Sequence, residues 1–400
     1  MLDVFDRYNF TVNEAEPLEK EVAIDPEMLG KVFENLIEEN RRKGLGAYYT
    51  PREIVHYMCQ ESLINYLDTA LNTGDVALVT EKPVNLKLFG APAIQQRALK
   101  TPGYTNTVPR EDIETFVRMG DLAIEHDTRV ESAGRQTRDY SYRLPESIRW
   151  NAELIDGKLA DIRICDPAIG SGAFPVGLMT EIVRARNTLT TYLPHKEGRN
   201  SYIFKRHAIQ NSLYGVDIDP SAVEIAKLRL WLSLVVDEED FKQIQPLPNL
   251  DYKIVCGNSL LKCEQDILQW PLIEELEKLK NEYFGDTGTR KEEHRNKISD
   301  LLAEIKGDAR EFNFTVDFSE VFPKQPTDSR GFDIVVANPP YIRQEKLKEL
   351  KAELKKYFQC YDGVADTEEE RHAHLHLLQQ VLPRRIRRET APVLGLQLPD

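Results

Sequence analysis

From about residue 160 onward, short apolar runs that end in an acid or an amide alternate with helical stretches. The runs are Ile162–Asp166, Leu213–Asp217, Tyr252–Cys256 and Phe332–Asn338. Buried strands that alternate with helices are typical of a parallel sheet. The pattern therefore predicts a doubly wound α/β domain, in which ligands bind beyond the carboxyl ends of the strands.

Apolar residues at helical spacing predict two helices before this domain and a helical hairpin within it. Asp25-Pro26 begins the first helix, and the capping box Thr50–Glu53 begins the second. Between the third and fourth apolar runs, Pro271 begins one helical stretch, Gly285–Gly288 interrupts it, and a second stretch follows. We therefore expect a helical-hairpin insertion at about residues 264–325.

Residues 68–158 are polar and punctuated by Pro and Gly, which indicates an inserted subdomain. It includes the stretch GRQTRDYSYR at 134–143, where Arg and Tyr alternate as they do in some nucleic-acid contacts. A solvated surface segment explains the same pattern more simply. The expected organisation is an N-terminal helical region (1–67), this subdomain (68–158), the α/β core (159–366) and a tail (367–400).

Composition and charge narrow the function classes. The chain has 400 residues, of which 41% are apolar and 30% charged, and no apolar run is long enough to span a bilayer. A net charge of −14 argues against a protein that binds nucleic acid through charge alone. The five cysteines form no C-x-x-C pair, and the N-terminus has no signal-peptide pattern. These features favour a cytoplasmic protein with free thiols.

The first candidate site is the glycine turn Asp166–Phe174, with the sequence DPAIGSGAF. Gly170 and Gly172 would let backbone N–H groups approach a ligand closely. The turn is not the dinucleotide fingerprint, because the third glycine of that motif would fall on Pro175. A structural glycine turn remains an alternative, since many α/β proteins contain one.

The second run ends in a polar residue that suits a nucleoside, and such a residue also follows the end of the third run. Asp217 would lie at a strand tip, where its carboxylate can accept hydrogen bonds from both hydroxyls of a ribose. Asp219 is a nearby competitor, and we assign it to capping the helix that begins at Pro220. Asn258 can offer a donor and an acceptor to a purine edge, or can be a simple turn residue.

The fourth run ends in Asn338-Pro339-Pro340-Tyr341, the most specific signal in the chain. The two prolines restrict the backbone, so that the Asn338 side chain and the Pro339 carbonyl can accept from one amino group. Tyr341 offers a face for stacking. This arrangement suits an extruded planar base, although an Asn-Pro-Pro turn alone could be purely structural.

These motifs, in this order and with Tyr48-Tyr49-Thr50-Pro51 upstream, resemble the S-adenosylmethionine-dependent adenine-specific DNA methyltransferases. The most similar type is the methylase portion of type IIG restriction–modification enzymes, over roughly residues 1–366. The resemblance implies a Rossmann-like methyltransferase domain, here with an incomplete sheet. It also implies double-stranded DNA as substrate, and a nuclease or target-recognition segment outside this chain as a further partner.

The resemblance also implies a role for each motif. The cofactor-binding positions would be Tyr49, Thr50, Pro51, Asp166, Pro167, Ala168, Gly170, Gly172, Phe174, Asp217 and Asn258. The family often has an acid where this chain has Asn258, which places that one contact in question. Asn338, Pro339, Pro340 and Tyr341 would hold a flipped adenine while its amino nitrogen attacks the sulfonium methyl group. The reaction needs no metal and no covalent nucleophile.

The tail departs from this family. Four arginines fall within Pro383–Glu389 without a strand or helix pattern, and we expect a truncation caused by a frameshift near residues 366–372. On that hypothesis His372, His374 and His376 are accidental and not a metal site. The sheet would then lack its last strands, and the isolated chain would have little or no activity.

There are three alternatives to an active DNA methyltransferase. An inactive fragment would retain at most cofactor or DNA binding. A protein-glutamine methyltransferase could use the same tetrad on a side-chain amide, although the N-terminal helical region and the Thr-Pro element favour DNA. A nicotinamide oxidoreductase is excluded by the missing third glycine and by the tetrad Asn338–Tyr341.

Overall fold

The computed structural model describes residues 9–11, 21–23, 50–73, 107–133, 143–235, 248–259, 270–306, 312–322 and 331–338. These residues form two compact units, the first within Met1–Val55, Arg163–Val176 and Leu213–Asp400 and the second within His56–Ile162 and Gly177–Ser212. Several predictions concern residues outside the described ranges. They are the helix that begins at Asp25-Pro26, residues 134–142 of the Arg/Tyr stretch, and the tail 367–400 with its three histidines.

The described strands form two parallel sheets. They are β1 (Asn9–Thr11), β2 (Glu21–Ala23), β3 (Ile164–Asp166), β4 (Leu213–Asp217), β5 (Ile254–Cys256) and β6 (Ile334–Val335). Strands β1 and β2 pair with each other. The other four form one sheet in the order β5-β4-β3-β6, and every pair in it is parallel. Each of the four predicted apolar runs therefore contains a strand of a single parallel sheet.

Ten helices are found in the described part of the chain. They are α1 (Arg52–Asn72), α2 (Arg110–Ala133), α3 (Glu146–Trp150), α4 (Ala152–Asp161), α5 (Ala173–Thr190), α6 (Ser201–Asn211), α7 (Pro220–Val235), α8 (Trp270–Tyr283), α9 (Gly288–Lys306) and α10 (Phe314–Asp317). Helix α1 begins one residue later than the capping box predicts. The Pro51 carbonyl accepts hydrogen bonds from the amides of Ile54 and Val55, so this proline precedes the first turn.

The strands are shorter than the apolar runs that contain them. The clearest case is β6, where only Ile334–Val335 of the predicted Phe332–Asn338 are in the strand. Among the described strands, β6 pairs with β3 alone, so it is hydrogen-bonded on one side. Phe332, Val336 and Ala337 are nevertheless buried, which explains why the run is apolar beyond the strand itself.

Aromatic residues form the core of the first unit against the sheet. The Tyr214 ring meets Phe318 edge to face at a centroid distance of 5.1 Å and meets Phe332 at 5.3 Å. Phe312 lies 5.4 Å from Phe318 in the same type of contact. Tyr214 belongs to β4, so these contacts attach the segments before and after α10 to the sheet.

A buried charge cluster, defined by Lys253, Lys280 and Glu320, lies in the same unit. The Lys253 ammonium donates to Glu320 Oε1 at 2.9 Å, and the Lys280 ammonium lies 3.9 Å from Glu320 Oε2. Burial alone would raise the pKa of Glu320, but the two ammonium groups lower it from 4.5 to about 2. Burial lowers the pKa of both lysines in spite of this carboxylate. The carboxylate and the two ammonium groups therefore stabilise one another's charged forms.

The predicted helical hairpin is present as α8 and α9. Their shared core contains Ile273, Leu276, Leu279, Tyr283, Ile298 and Ile305. Residues 284–287 separate the two helices. Gly288, the first residue of α9, has a φ of 63°, in the left-handed region where glycine is favoured. This agrees with the interruption seen in the sequence.

The second unit is helical in its described part. In this unit, the Asp156 carboxylate forms ion pairs with the guanidinium groups of Arg186 and Arg199. The closest nitrogen–oxygen distances are 2.9 and 2.6 Å. Both guanidinium groups also lie over the Phe204 ring, at 4.4 and 4.8 Å from its centroid. Burial raises the pKa of Asp156, but the hydrogen bonds and charges of the two arginines outweigh it and lower the pKa overall. This cluster connects α4, α5 and α6.

The described residues contain neither a membrane-spanning helix nor a metal-binding cluster. None of the described helices is long and apolar enough to cross a membrane. The described His, Cys, Asp and Glu side chains form no group of three or more that could hold a metal ion.

Candidate functional site

The parallel sheet brings four sequence-predicted polar positions to one edge. Asp166 ends β3, Asp217 ends β4, Asn258 follows β5 and Asn338 follows β6. Because all four strands are parallel, their carboxyl ends lie at the same edge. Counted along the chain, the strand order is 3-2-1-4, so it reverses between β3 and β6. Ligands of open α/β sheets bind at such a reversal, which makes this edge the candidate site.

The glycine turn after β3 has the backbone that the sequence predicts. Gly170 and Gly172 have φ angles of 51° and 83°, both in the left-handed region. A methyl group added at Gly170 would meet no atom within 4 Å, so the space above this residue is open. A methyl group at Gly172 would lie 3.1 Å from the Ala226 Cβ, because α7 packs closely behind the turn. Gly170 thus leaves room for a ligand, and Gly172 allows α7 to pack closely against the turn.

We expect Gly172→Ala to destabilise the first unit by roughly 1–2 kcal/mol, because alanine is strained in the left-handed conformation. The crowding against Ala226 adds to this cost. Urea denaturation measures the loss. Gly285→Ala is the matched control, since a methyl group there meets no atom within 4 Å. Equal stability of the two variants would contradict this description of the turn.

Asp217 connects the tip of β4 to the glycine turn. Its Oδ2 accepts from the Gly170 amide at 2.8 Å, and its Oδ1 accepts from the Asp219 amide at 2.9 Å. Burial raises the pKa of Asp217, and the backbone hydrogen bonds oppose that shift without cancelling it. A carboxylate can accept about four hydrogen bonds, so Asp217 retains capacity for a ligand hydroxyl.

Asp166 is buried at the end of β3 and is only 1% exposed. Its Oδ1 accepts from the Ala168 amide at 3.0 Å, whereas its Oδ2 has no hydrogen-bond partner among the described residues. Burial raises the pKa of Asp166 well above its ordinary value, and the nearby Asp217 charge raises it further. A buried acceptor with unused capacity suits a cationic or hydrogen-donating ligand group.

Asp219 has the role that the sequence predicts. Its Oδ1 accepts from the Ser221 amide at 2.9 Å, at the first turn of α7, which begins at Pro220. The carboxylate therefore caps this helix. The ribose-binding assignment remains with Asp217, as proposed from the sequence.

The structure joins Thr50 to Asn338, although they were assigned to different parts of the site. The Asn338 Nδ2 donates to the Thr50 hydroxyl at 3.0 Å. Thr50 is 6% exposed, and Asn338 is partly buried. Tyr49, Pro339, Pro340 and Tyr341 lie outside the described residues.

The other predicted positions differ in burial. Pro167 is buried, Ala168 and Asn258 are partly buried, and Phe174 is 3% exposed at the start of α5. Pro51 is exposed next to Thr50. Pro167, Ala168 and Phe174 belong to the turn, and Ser259, next to Asn258, donates to the Pro167 carbonyl. The geometry assigns a ligand to none of these positions.

Sequence reasoning missed three residues that support the turn. The Arg229 guanidinium is 1% exposed and donates to the Ser171 carbonyl at 2.9 Å and to its hydroxyl at 3.1 Å. Ser259 donates to the Pro167 carbonyl at 2.8 Å. Gly215 leaves the space that the Ile169 side chain fills. For Arg229 a signal existed, since a lone arginine within the apolar face of α7 needs a buried acceptor.

An α/β domain with a glycine turn, strand-tip acids and an Asn at one sheet edge is typical of a nucleoside- or nucleotide-binding site. Residues 211–368 match the Eco57I restriction-modification methylase family. This range includes Asp217, Asn258 and Asn338, whereas the glycine turn and Thr50 precede it.

A comparison with curated proteins gave a second match. It is to a protein of Methanocaldococcus jannaschii that is provisionally named a type II restriction enzyme and methyltransferase. The two are 31% identical over 270 residues, which are 65% of this chain and 18% of that protein. The chain thus corresponds to less than a fifth of the length of this relative. Together the two matches confirm the predicted resemblance to methyltransferases of restriction–modification systems.

Proposed function

We propose that this chain is the core of an S-adenosylmethionine-dependent, adenine-specific DNA methyltransferase of a restriction–modification system. The observation that carries the proposal is the position of Asn338 at the same sheet edge as Asp166, Asp217 and the glycine turn. The match of residues 211–368 to a restriction-modification methylase family supports it. The parallel sheet is compatible with the Rossmann-like methyltransferase fold that we propose for the first unit.

The residues at this edge fit the proposed cofactor. The unpartnered Asp166 Oδ2 would accept from the ammonium group of the methionine part. The open space over Gly170 would admit the chain of that part, and Asp217 would accept from the ribose hydroxyls. Gly172 and the neighbouring positions complete the proposed site: Tyr49, Thr50, Pro51, Pro167, Ala168, Phe174 and Asn258.

The chain's own residues would position the acceptor. When bound, S-adenosylmethionine supplies a methyl group on a positively charged sulfur, which is a good leaving group for attack by an amino nitrogen. The Asn338 side-chain oxygen and the Pro339 carbonyl would accept hydrogen bonds from the amino group of a flipped adenine. Pro340 would restrict the backbone, and Tyr341 would stack on the base. Catalysis would come from alignment and from the polarity of these acceptors.

The remaining features of the proposal concern partners and location. Double-stranded DNA is the proposed substrate, and the proposed location is the cytoplasm. A nuclease and a target-recognition segment outside this chain are proposed partners. The alternative is the inactive fragment that the truncation hypothesis predicts. It would retain at most cofactor or DNA binding, and it predicts binding without methyl transfer.

We expect the chain to bind S-adenosylmethionine saturably in isothermal titration calorimetry. Asp217→Ala should weaken binding roughly 100-fold, since a carboxylate that holds two hydroxyls contributes about 3 kcal/mol. Asp300→Ala is the matched control, because Asp300 is an exposed acid on α9. Circular dichroism checks that each variant is folded. A folded wild-type chain that does not bind, or equal affinities for both variants, would contradict the cofactor assignment.

A further inference from the structure

One hydrogen bond in the candidate site connects residues that are 288 positions apart in the sequence. The Asn338 Nδ2 donates to the Thr50 Oγ1 at 3.0 Å. Thr50 lies two residues before the start of α1, and Asn338 lies three residues after β6. The hydroxyl is largely withdrawn from water, since Thr50 is 6% exposed. A bond in such surroundings competes little with solvent.

Both partners are held by their own backbone surroundings. Thr50 precedes Pro51, which restricts the Thr50 backbone to extended conformations, and the Pro51 carbonyl is bound to the first turn of α1. Asn338 follows a strand that pairs with β3, and the Val336 amide donates to the Cys165 carbonyl at 3.1 Å. The hydrogen bond therefore connects two fixed segments.

The bond determines which end of the Asn338 amide is left for a ligand. The Oδ1 and Nδ2 atoms diverge from one carbon, so an amide that turns Nδ2 toward Thr50 turns Oδ1 away from it. An adenine amino group is a donor and needs an acceptor. A reversed amide would present Nδ2 to that amino group, placing one donor against another. The orientation of the Asn338 amide therefore matters as much as the position of the residue, because only the oxygen can accept from that amino group.

We propose that Thr50 is a positioning residue, whose hydroxyl fixes the Asn338 amide with its oxygen directed toward the amino group of the substrate. This inference rests on the proposed function, in which Asn338 accepts from that amino group. It gives Thr50 a role beyond the cofactor contact that was assigned to it. We therefore expect a larger effect on the methyl-transfer step than on cofactor affinity.

The kinetic test compares Thr50→Val, which removes the hydroxyl at nearly constant volume, with Thr50→Ser, which keeps it. We expect Thr50→Val to lower the single-turnover rate of DNA methylation at saturating S-adenosylmethionine roughly 10-fold, a larger factor than its effect on cofactor affinity. Thr50→Ser should restore most of the rate. Thr289→Val, at an exposed threonine of α9, controls for the substitution itself. A loss of cofactor affinity with an unchanged saturated rate would overturn the proposal.

A second measurement does not depend on methyl transfer. In the full chain labelled with ¹⁵N-asparagine, the Asn338 side-chain amide signals are assigned by their disappearance in Asn338→Ala. Thr50→Val should shift these NH₂ signals and Thr50→Ser should shift them much less, because only valine removes their acceptor. If the Asn338 NH₂ signals do not shift in Thr50→Val, Nδ2 does not donate to Thr50, and the proposal fails. A wild-type chain without DNA methylation would refute the proposed function, whereas these signals would still decide the role of Thr50.

Discussion

Asn338→Ala is expected to lower the rate of methyl transfer to DNA roughly 100- to 1000-fold, the range seen when one preorganised polar group is removed from a reaction centre. The side chain follows β6 at the sheet edge, and its Nδ2 is bound to Thr50. Its oxygen is therefore the group left for the amino group of the substrate. Alanine removes this acceptor but leaves Asp166, Asp217 and the glycine turn in place. Cofactor affinity should stay the same.

Single-turnover methylation with saturating S-adenosylmethionine measures the rate, and calorimetry measures cofactor affinity separately. Asn296→Ala is the matched control, because Asn296 is an exposed asparagine of α9. A variant that methylates DNA at the wild-type rate would remove Asn338 from the reaction. A variant that loses cofactor affinity instead would assign this residue to the cofactor.

Glu320→Gln is expected to destabilise the first unit by roughly 3–5 kcal/mol, because it leaves two buried ammonium groups without their carboxylate. Lys253 and Lys280 have side-chain exposures of 14% and 6%. The lowered pKa of Glu320 supports a loss of unfolding free energy of similar size, since a shift from 4.5 to about 2 corresponds to roughly 3 kcal/mol. Urea denaturation at neutral pH measures the change. Glu304→Gln, at an exposed position of α9, should be near neutral.

The same carboxylate predicts a pH dependence of stability. The pKa of Glu320 is lower in the folded than in the unfolded chain, so its contribution is complete above about pH 4.5 and disappears as the pH falls toward 2. The wild-type chain should therefore lose this increment of unfolding free energy within that window. The difference between wild type and Glu320→Gln should shrink over the same range. A constant difference from neutral pH down to pH 2 would show that the cluster does not stabilise the fold through charge.

The sheet was the most predictable part of the molecule. Each apolar run between residues 162 and 338 was short, ended in a polar residue and led toward a helix, which is a local signal for a buried parallel strand. Parallel pairing then requires the carboxyl ends to share an edge, so Asp217 and Asn338 could be placed at one site before any coordinates. The cap formed by Asp219 followed from the Asp-Pro pair for the same local reason.

Contacts between distant positions could not be predicted in this way. Glu320 and Lys253 are 67 positions apart, and Thr50 and Asn338 are 288 apart. Nothing in the spacing of such residues pairs them, because charge and hydroxyl groups are common on any surface. The Thr50 hydroxyl was assigned to a helix cap and to the cofactor, and its bond to Asn338 appears only in the folded first unit.

The support of the glycine turn by Arg229 is an intermediate case. Sequence reasoning missed Arg229, although an arginine among the apolar residues of α7 is a signal for a buried charge that needs acceptors. The sequence alone does not say which carbonyl lies opposite it. The close packing at Gly172 explains why that acceptor is Ser171, since α7 approaches the turn within van der Waals distance there. The residue type shows that a buried arginine needs an acceptor, whereas the tertiary packing determines that the acceptor is Ser171.

The base that receives the methyl group is the most direct test of the proposed function. DNA prepared from a host without adenine methylation is incubated with the chain and methyl-labelled S-adenosylmethionine, digested to nucleosides and analysed by mass spectrometry. The proposal predicts label on the exocyclic nitrogen of adenine, and loss of that label with Asn338→Ala. Label on cytosine, or no labelled base from a folded chain that binds the cofactor, would contradict it.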